Sequence, residues 1–416
     1  MSLAALAKHR DFRLYAGVRL FFSTAMYAQA VAVAWTVYDL TRRPESLGAI
    51  GLAQFVPALL FLLFGGEIAD RYKRHTILVV SYSASALLSF ALFWECGRAA
   101  PRLAVLYALL FCVGAARSIS VPAAQSLVQD VAPPGQGPAS VRVLSVVVEM
   151  AKLAGPALGG FLLGPLGVHR VLGVVTLVVS ACVVAVAMIR AGRVPLGLGR
   201  RGGDVFAGLR YVFSNRILLG AVSLDLFAVL LGGAVAMMPV YARDILRIGP
   251  EGLGIFRAAP GLGAVCMGAW LAARPIKRNA GRWMFAAVAA FGVATIAFAY
   301  SRSFWLSTAM LMLLGVFDMV SVVTRSTLVQ FGTPAELRGR VSAVSMLFII
   351  TSNDLGEVES GFLAGWLGTV PSVAIGGVGT LVVVALWAWW FPELRRFASL
   401  DAPVTANASL DANKAA

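Results

Sequence analysis

Charged side chains inside long apolar runs are the residues of this sequence whose positions could support chemistry. Five of them lie at a similar depth, namely Arg117, Glu149, Lys152, Asp225 and Asp318. A charge in such a run is costly in a membrane, so it is usually paired or lines a water-filled cavity. At about 1.5 Å of helix rise per residue, they lie roughly 12–18 Å from the predicted cytoplasmic helix ends, near the bilayer midplane. The sequence therefore predicts a polar pathway for protons or ligands along these positions.

Two of these charges have a neighbour on their own helix and one does not. Glu149 and Lys152 are spaced i, i+3, so they share a helix face. They are either pathway residues or a self-neutralising pair that lets their helix insert. Asp225 has no basic residue within a helical turn. It is either a cavity acid or the partner of a basic residue on another helix.

A further group of acids occurs between Ser352 and Gly361. At 100° per residue, Asp354 and Glu357 lie about 60° apart on the helix, while Glu359 points elsewhere. Two close carboxylates favour binding of a shared proton or a cation. The alternative is an outer gate hydrogen-bonded to backbone and water. Because no histidine or thiol is expected nearby, we predict no metal site, and we expect no cofactor.

The composition shows which elements must position these residues. Of 416 residues, 59% are hydrophobic and only 13% are charged, whereas soluble domains carry about 25% charged residues. This composition argues against a water-soluble enzyme. The net charge of +15 could indicate a nucleic-acid partner, but the basic residues recur between apolar runs instead of clustering on one face. We therefore expect the protein to be surrounded by membrane lipids and to bind no nucleic acid. We also expect it to be a monomer.

Apolar runs bounded by charges and breakers predict an all-α membrane protein with twelve transmembrane helices. The predicted spans are 14–39, 47–66, 76–96, 103–128, 141–164, 171–191, 217–241, 252–273, 283–301, 304–328, 341–367 and 371–391. They form an N-terminal six-helix bundle (1–191) and a C-terminal one (217–396), joined by a cytoplasmic loop (192–216) and followed by a disordered tail (397–416). With cytoplasmic termini, 22 basic residues lie inside and 8 outside, which favours that orientation.

The two halves contain an internal repeat. Gly114 to Gln129 aligns with Gly315 to Gln330 at an offset of 201 residues, with matching glycine, Ser-Val and Leu-Val-Gln positions. An even number of spans per half predicts two bundles related by a pseudo-twofold along the membrane normal. The repeat places Arg117 and Asp318 at equivalent positions. We expect them to form or release an ion pair, with Asp318 binding a proton when unpaired; a static strut is the alternative.

Several motifs resemble those of a known transporter superfamily. Gly66-Glu-Ile-Ala-Asp70-Arg71-Tyr-Lys-Arg74 resembles the loop between spans two and three of the major facilitator superfamily. Further segments are similar to its enterobactin-exporter-like branch, and they begin at Tyr38, Leu47, Gly155, Arg338 and Ser352. The resemblance covers about residues 10–396. It implies a secondary transporter that exports a small-molecule substrate across the bacterial inner membrane by alternating access, and the direction of transport rests on this resemblance alone.

The resemblance also implies roles for loop and glycine residues. Asp70, with Gly66, Arg71 and Arg74, would close an inner gate against the start of span eleven near Arg338 and Arg340. The alternative for the basic residues is a purely topogenic role. Gly155, Pro156, Gly159 and Gly160 match a motif linked to antiporters, although close helix packing alone would require them. The superfamily's usual span-four arginine precedes a glycine, whereas Arg117 follows Gly114, so its role is not carried over.

Together these features predict a proton-coupled exporter of amphiphilic small molecules, of siderophore or drug type. No Gly-x-x-x-x-Gly-Lys-[Ser/Thr] loop is present in the sequence, so ATP is not expected to drive it directly. The alternatives are an uncoupled facilitator or importer of the same fold, or a transporter-like membrane sensor that binds its ligand without moving it.

Overall fold

The computed structural model describes residue 6 and residues 9–71, 73–133, 136–190, 205–276, 278–334 and 337–397. In these ranges the regular secondary structure is helical and contains no strand. The helices are α1 (Arg10–Thr41), α2 (Glu45–Arg71), α3 (Arg74–Cys96), α4 (Leu103–Val131), α5 (Gly137–Ala187), α6 (Val205–Ser214), α7 (Arg216–Leu231), α8 (Met238–Val240), α9 (Gly249–Ala273), α10 (Ala280–Tyr300), α11 (Phe304–Phe331), α12 (Arg338–Leu367), α13 (Thr369–Trp390) and α14 (Pro392–Arg396). The predicted tail from residue 398 onward lies outside the described residues.

The helices have the length and composition of membrane spans. In the described part of the chain, nine helices are long and apolar enough to cross a bilayer. The number is ten if the bent pair α6–α7 counts as one span. Large apolar side chains cover their outer surfaces, and Trp305, Trp366 and Trp389 are each more than three-quarters exposed. A soluble protein would not leave such a surface open to water. The prediction of an all-helical, multi-pass membrane protein is therefore confirmed.

Two predicted spans meet inside α5. This helical run is 51 residues long, and Gly167 departs from helical backbone with φ of 72° and ψ of 164°. Only glycine adopts such a backbone conformation readily, because it has no Cβ. The predicted spans 141–164 and 171–191 lie on either side of this turn.

The region from the central loop into span seven differs from the predicted pattern. Residues 191–204 are outside the described part, but the rest of the predicted loop forms α6, which lies at 99° to α7. Asn215 sits between them, and its Oδ1 accepts hydrogen bonds from the backbone N–H of Ile217 and Leu218, both at 3.1 Å. The predicted span 217–241 is interrupted after Leu231, because Gly232 and Gly233 do not favour a helix.

The chain divides into two compact units. The first comprises Met1–Gly199 and Pro239–Ala258, and the second comprises Arg200–Met238 and Ala259–Ala416. In the first, α1 packs along α5, α2 along α4, and α3 against α4 and α5. In the second, α10 packs against α11 and α13, and α7 against α12 and α13. The predicted domain boundaries at 191 and 217 stay predictions.

The internal repeat has a counterpart in the packing of each unit. In the first unit, a Cβ built on Gly114 of α4 would lie 2.6 Å from the backbone oxygen of Gln54 and 2.9 Å from Pro57 of α2. In the second, a Cβ on the equivalent Gly315 of α11 would lie 1.7 Å from the backbone oxygen of Pro260 of α9. Both repeats therefore use the same glycine to bring two helices close together.

Candidate functional site

A buried ion pair lies in the second unit, between α7 and α11. An Arg325 guanidinium nitrogen, Nη1, donates to Oδ2 of Asp225, and Oγ of Ser321 donates to Oδ1 at 2.9 Å. Both side chains of this pair are 5% exposed. Ser321 and Arg325 are four residues apart, so they share one face of α11. Both oxygens of the Asp225 carboxylate are therefore engaged in a setting with little access to water. We call Asp225 and Arg325 the buried pair.

A small cavity borders the buried pair. It is lined by Asp225 and Ser321, by Asp318, and by apolar side chains of which Phe291 and Phe317 are the largest. Asp318 is half-buried and lies three residues before Ser321 on α11. The structure therefore brings together two predicted pathway acids, Asp225 and Asp318, within the second unit. Two carboxylates that line one cavity can bind a proton or a cation there.

Arg325 is the member of this group that sequence reasoning missed. It lies inside the predicted span 304–328, where the sequence alone gives it no role. Its spacing from Asp318 and Ser321, seven and four residues, indicates one shared helix face and was the available signal. The sequence leaves two interpretations of Asp225, a cavity acid or the partner of a basic residue on another helix. In the structure Asp225 contacts Arg325 of another helix and also lines the cavity.

The predicted pathway residues of the first unit lie on α4 and α5. Arg117 is exposed on α4. Glu149 and Lys152 contact each other on α5, with Nζ 2.6 Å from Oε1, and their side chains are 60% and 48% exposed. Both readings of the pair allow this contact, so the choice between them stays a prediction. Because Arg117 and Asp318 belong to different units, the predicted ion pair between them stays a prediction.

The acids of span eleven are placed on α12. Asp354 and Glu357 are half-buried. Glu359 accepts a hydrogen bond from Oγ of Ser360 at 3.1 Å, and the Asn353 amide donates to the backbone oxygen of Ile349 at 2.7 Å. Among the described residues, no group of three or more histidine, cysteine, aspartate or glutamate side chains is arranged to hold a metal ion.

A second charged cluster joins the end of α1 to the π-helical turn Tyr241–Ile245, within the first unit. Asp244 accepts a hydrogen bond from the hydroxyl of Tyr38. Its other oxygen, Oδ1, lies 3.0 Å from Nη1 of Arg42. Arg42 and Asp244 are 52% and 39% exposed. These contacts connect residues about 200 positions apart in the chain.

The same cluster continues through Asp39. Its Oδ1 lies 3.3 Å from Nη2 of Arg42 and also contacts the guanidinium of Arg243. The guanidinium of Arg243 lies over the ring of Trp35, 4.9 Å from its centroid, in a cation–π contact. We call the whole cluster the outer network, because its members lie on the predicted outer side: Trp35, Tyr38, Asp39, Arg42, Arg243 and Asp244. The sequence does not predict this network, because Arg42 and Arg243 are only two of the eight basic residues in the predicted outer loops.

The predicted gating residues are partly described. The side chains of Gly66, Asp70 and Arg71 lie outside the described residues. Arg74 is half-buried, and its Nη1 lies 3.2 Å from Oδ1 of Asp130 at the end of α4. The predicted inner gate therefore stays a prediction.

In the second unit, the predicted gating residues at the start of α12 lie beside α6. Arg338 is exposed and Arg340 is half-buried. The backbone of Arg340 packs closely against Gly208 of α6, where a Cβ on the glycine would lie 2.8 Å from it.

The predicted packing motif on α5 lies where backbones approach closely. A Cβ on Gly155 would lie 2.6 Å from Cβ of Tyr27, and one on Gly159 would lie 2.8 Å from Cα of Ala28. Pro156 is buried between them. A Cβ on Gly160 would lie 2.3 Å from Cα of Gly254 at the start of α9. These contacts fix α5 against α1 and against residues 239–258.

Similar proteins are found among known families, curated proteins and solved structures. Residues 2–411 match the family model described as transmembrane secretion effector. The enterobactin exporters EntS of Shigella flexneri and of Escherichia coli O139:H28 are each 23% identical over 418 residues, which is 98% of this chain and 98% of theirs.

Solved transporter structures share the fold. The nucleoside transporter NupG matches with a TM-score of 0.65 at 14% identity, covering 93% of this chain and 99% of its own. An inward-facing bacterial homologue of the human lysosomal transporter Spinster matches with a TM-score of 0.68 at 13% identity, covering 94% and 98%. Since the family model spans nearly the whole chain, this protein belongs to the transmembrane secretion effector family of major facilitator superfamily transporters, and it is not an enzyme.

Proposed function

We propose that this protein is a proton-coupled exporter of amphiphilic small molecules, of siderophore or drug type, in the bacterial inner membrane. The observation that carries the proposal is the charge arrangement around the cavity of the second unit. There Asp225, which pairs with Arg325, lines the same cavity as Asp318, Phe291 and Phe317. An acid on the wall of a small cavity suits a transported proton. The names of the curated relatives support export and a siderophore substrate.

The proposed architecture is twelve spans in two six-helix bundles, with both termini in the cytoplasm. Nine or ten helices among the described residues could span the membrane, which is consistent with twelve spans for two reasons. The helix α5 covers two predicted spans, and α2 is not among the nine because the side chains of its last part are not described. The matching glycine contacts of Gly114 and Gly315 support the repeat on which the two-bundle arrangement depends. The excess of basic residues in the predicted inner loops supports the orientation.

Alternating access requires contacts that hold one side closed and can be broken. The outer network has the properties expected of such a gate. Its ion pairs involve half-exposed side chains, so each contributes little and can exchange with water. Its two parts lie on α1 and on the turn after α8, which are far apart in sequence. We propose that the network closes the outer side and separates when that side opens.

The central test uses everted membrane vesicles that are energised so that their lumen is acidic, with a pH-sensitive dye. Enterobactin and a lipophilic cation such as tetraphenylphosphonium are added separately to wild-type and Asp318→Asn vesicles. We expect substrate to trigger proton release from the lumen in wild type, and this release to be lost in Asp318→Asn. Glu359→Gln is the matched control, because it removes a half-buried acid of α12 that does not line the cavity.

Each other outcome would replace the proposal with a defined alternative. A flux of labelled substrate whose rate does not depend on the pH gradient would establish an uncoupled facilitator or importer. Binding of a ligand without any flux would establish a membrane sensor with a transporter fold. Full coupling in Asp318→Asn would remove Asp318 from the proton pathway.

A further inference from the structure

The short helix α14 is docked onto the start of α10 in the second unit. Leu394 and Phe397 are 0% and 3% exposed and belong to the same apolar cluster as Ala280 and Met284. The backbone N–H of Gly281 donates to the backbone oxygen of Phe397 at 3.2 Å. A Cβ on Gly281 would lie 1.8 Å from the backbone oxygen of Leu394. The missing side chain at residue 281 therefore allows two segments that are distant in the chain to touch.

This docking brings arginines of both segments to one surface. Arg282 directly follows Gly281, and a Cβ on Gly281 would lie 3.3 Å from the backbone oxygen of Arg395. The residues Arg282, Arg395 and Arg396 are exposed, and we call them the basic patch. The positive-inside rule accounts for arginines in both segments, but it does not require the segments to be in contact.

The basic patch has little acidic charge around it. The segments 274–303 and 369–397 contain one acid, Glu393. Its Oε1 lies 3.2 Å from Nη1 of Arg216 at the start of α7. Because this acid already has a basic partner, the surface keeps a net positive charge, and such a surface attracts anions.

Exposed tryptophans place the basic patch at the membrane surface. Trp389 and Trp390, at the end of α13, are 79% and 59% exposed, and Trp283, which follows Arg282, is 48% exposed. Indole rings favour the headgroup level of a bilayer. Arg395 lies on α14, which begins directly after α13. The arginines are therefore at the level of lipid phosphate groups.

We propose that the basic patch is a binding site for the headgroup of an anionic phospholipid. Guanidinium groups form charge-assisted, often bidentate hydrogen bonds with phosphate, and basic pockets between transmembrane helices bind anionic headgroups. The site depends on the docked position of α14, because separating α14 from α10 disperses the three charges. A bound headgroup in turn holds α14 against α10. Lipid binding here does not depend on the proposed proton coupling.

The test is native mass spectrometry of the whole chain, purified in detergent and titrated separately with phosphatidylglycerol and phosphatidylcholine. We expect the first phosphatidylglycerol to bind at least about tenfold more tightly than phosphatidylcholine. In Arg282→Gln/Arg395→Gln/Arg396→Gln this preference should fall below about twofold, since an arginine near a membrane surface contributes about fivefold in affinity.

A matched control separates the position of the charges from their number. Arg10→Gln/Arg13→Gln/Arg142→Gln removes three exposed arginines of the first unit and should keep the preference for phosphatidylglycerol. An equal loss in both triple variants would overturn the inference, because it would show only a general attraction of a basic protein to anionic lipid. Displacement of bound phosphatidylglycerol by inorganic phosphate would also overturn it, since a soluble anion would then occupy the site.

The contribution of the docked helix is tested with every charge kept. Gly281→Ala adds a methyl group where the backbone oxygen of Leu394 lies, so it should displace α14 and lower the lipid preference at least about threefold. Gly339→Ala is the control, because a Cβ there meets no heavy atom of the described residues within 4 Å. Wild-type lipid binding in Gly281→Ala would overturn the inference, since the charges would then bind without docking. If Gly281→Ala fails to fold, the variants of exposed arginines still decide the inference.

Discussion

The buried pair and the outer network use the same residue types in opposite ways. The side chains of Asp225 and Arg325 are 5% exposed and pair with each other, and the Ser321 hydroxyl donates a hydrogen bond to Asp225. In the outer network, Asp39 and Asp244 each have two partners, and the Arg42 and Asp244 side chains are 52% and 39% exposed. The first arrangement cannot exchange partners without leaving a buried charge. The second can lose one contact and still be solvated.

This difference indicates which charges hold the protein together and which can move. Removing one partner of a buried pair leaves an uncompensated charge, whereas an exposed pair contributes little because water replaces the lost partner. The buried pair therefore suits a permanent link between α7 and α11. The outer network suits a contact that forms and separates during a transport cycle.

The largest expected effect comes from breaking the buried pair. Asp225→Ala or Arg325→Ala should each lower the free energy of unfolding by about 3–5 kcal/mol, because the remaining charge stays buried. Ser321→Ala should cost only about 0.5–1.5 kcal/mol, since it removes one hydrogen bond. Unfolding in detergent, followed by tryptophan fluorescence, measures both. If Asp225→Ala and Ser321→Ala were equally stable, the pair would not be the structural link described above.

A smaller effect is expected in the outer network. Asp244→Asn and Arg42→Gln should each weaken the closed arrangement by about 0.2–1 kcal/mol, the usual range for an exposed ion pair. We expect hydrogen exchange of residues 238–248 to accelerate up to about fivefold. Arg43→Gln is the matched control, because this neighbouring arginine is not part of the network. High salt should bring wild type toward the variants, and exchange rates that do not respond to salt would contradict an electrostatic gate.

The sequence predicts the helices of this protein better than it predicts the contacts between them. The span predicted at 252–273 is observed as Gly249–Ala273, because a run of apolar residues between charges is a local property. The pairing of Asp225 with Arg325 joins residues 100 positions apart. It depends on how α7 and α11 are rotated about their axes, and helices that are apolar on all sides carry little information about that rotation. The glycines of α5 are an exception, since the sequence predicts close packing at Gly155, Gly159 and Gly160, and backbones approach closely there.

The smallest expected effect concerns Glu149 and Lys152, where exposure and membrane depth predict different costs of losing a partner. Their contact at 2.6 Å is close, yet both side chains are about half exposed. If exposure, not depth in the membrane, decides the cost of losing a partner, then Glu149→Gln or Lys152→Gln should each destabilise the protein by less than about 1 kcal/mol. We expect this result in the same unfolding assay if the pair faces water in a cavity, as the predicted polar pathway requires. A loss of several kcal/mol would place the pair against lipid, where an unpaired charge is expensive, and would remove it from the polar pathway.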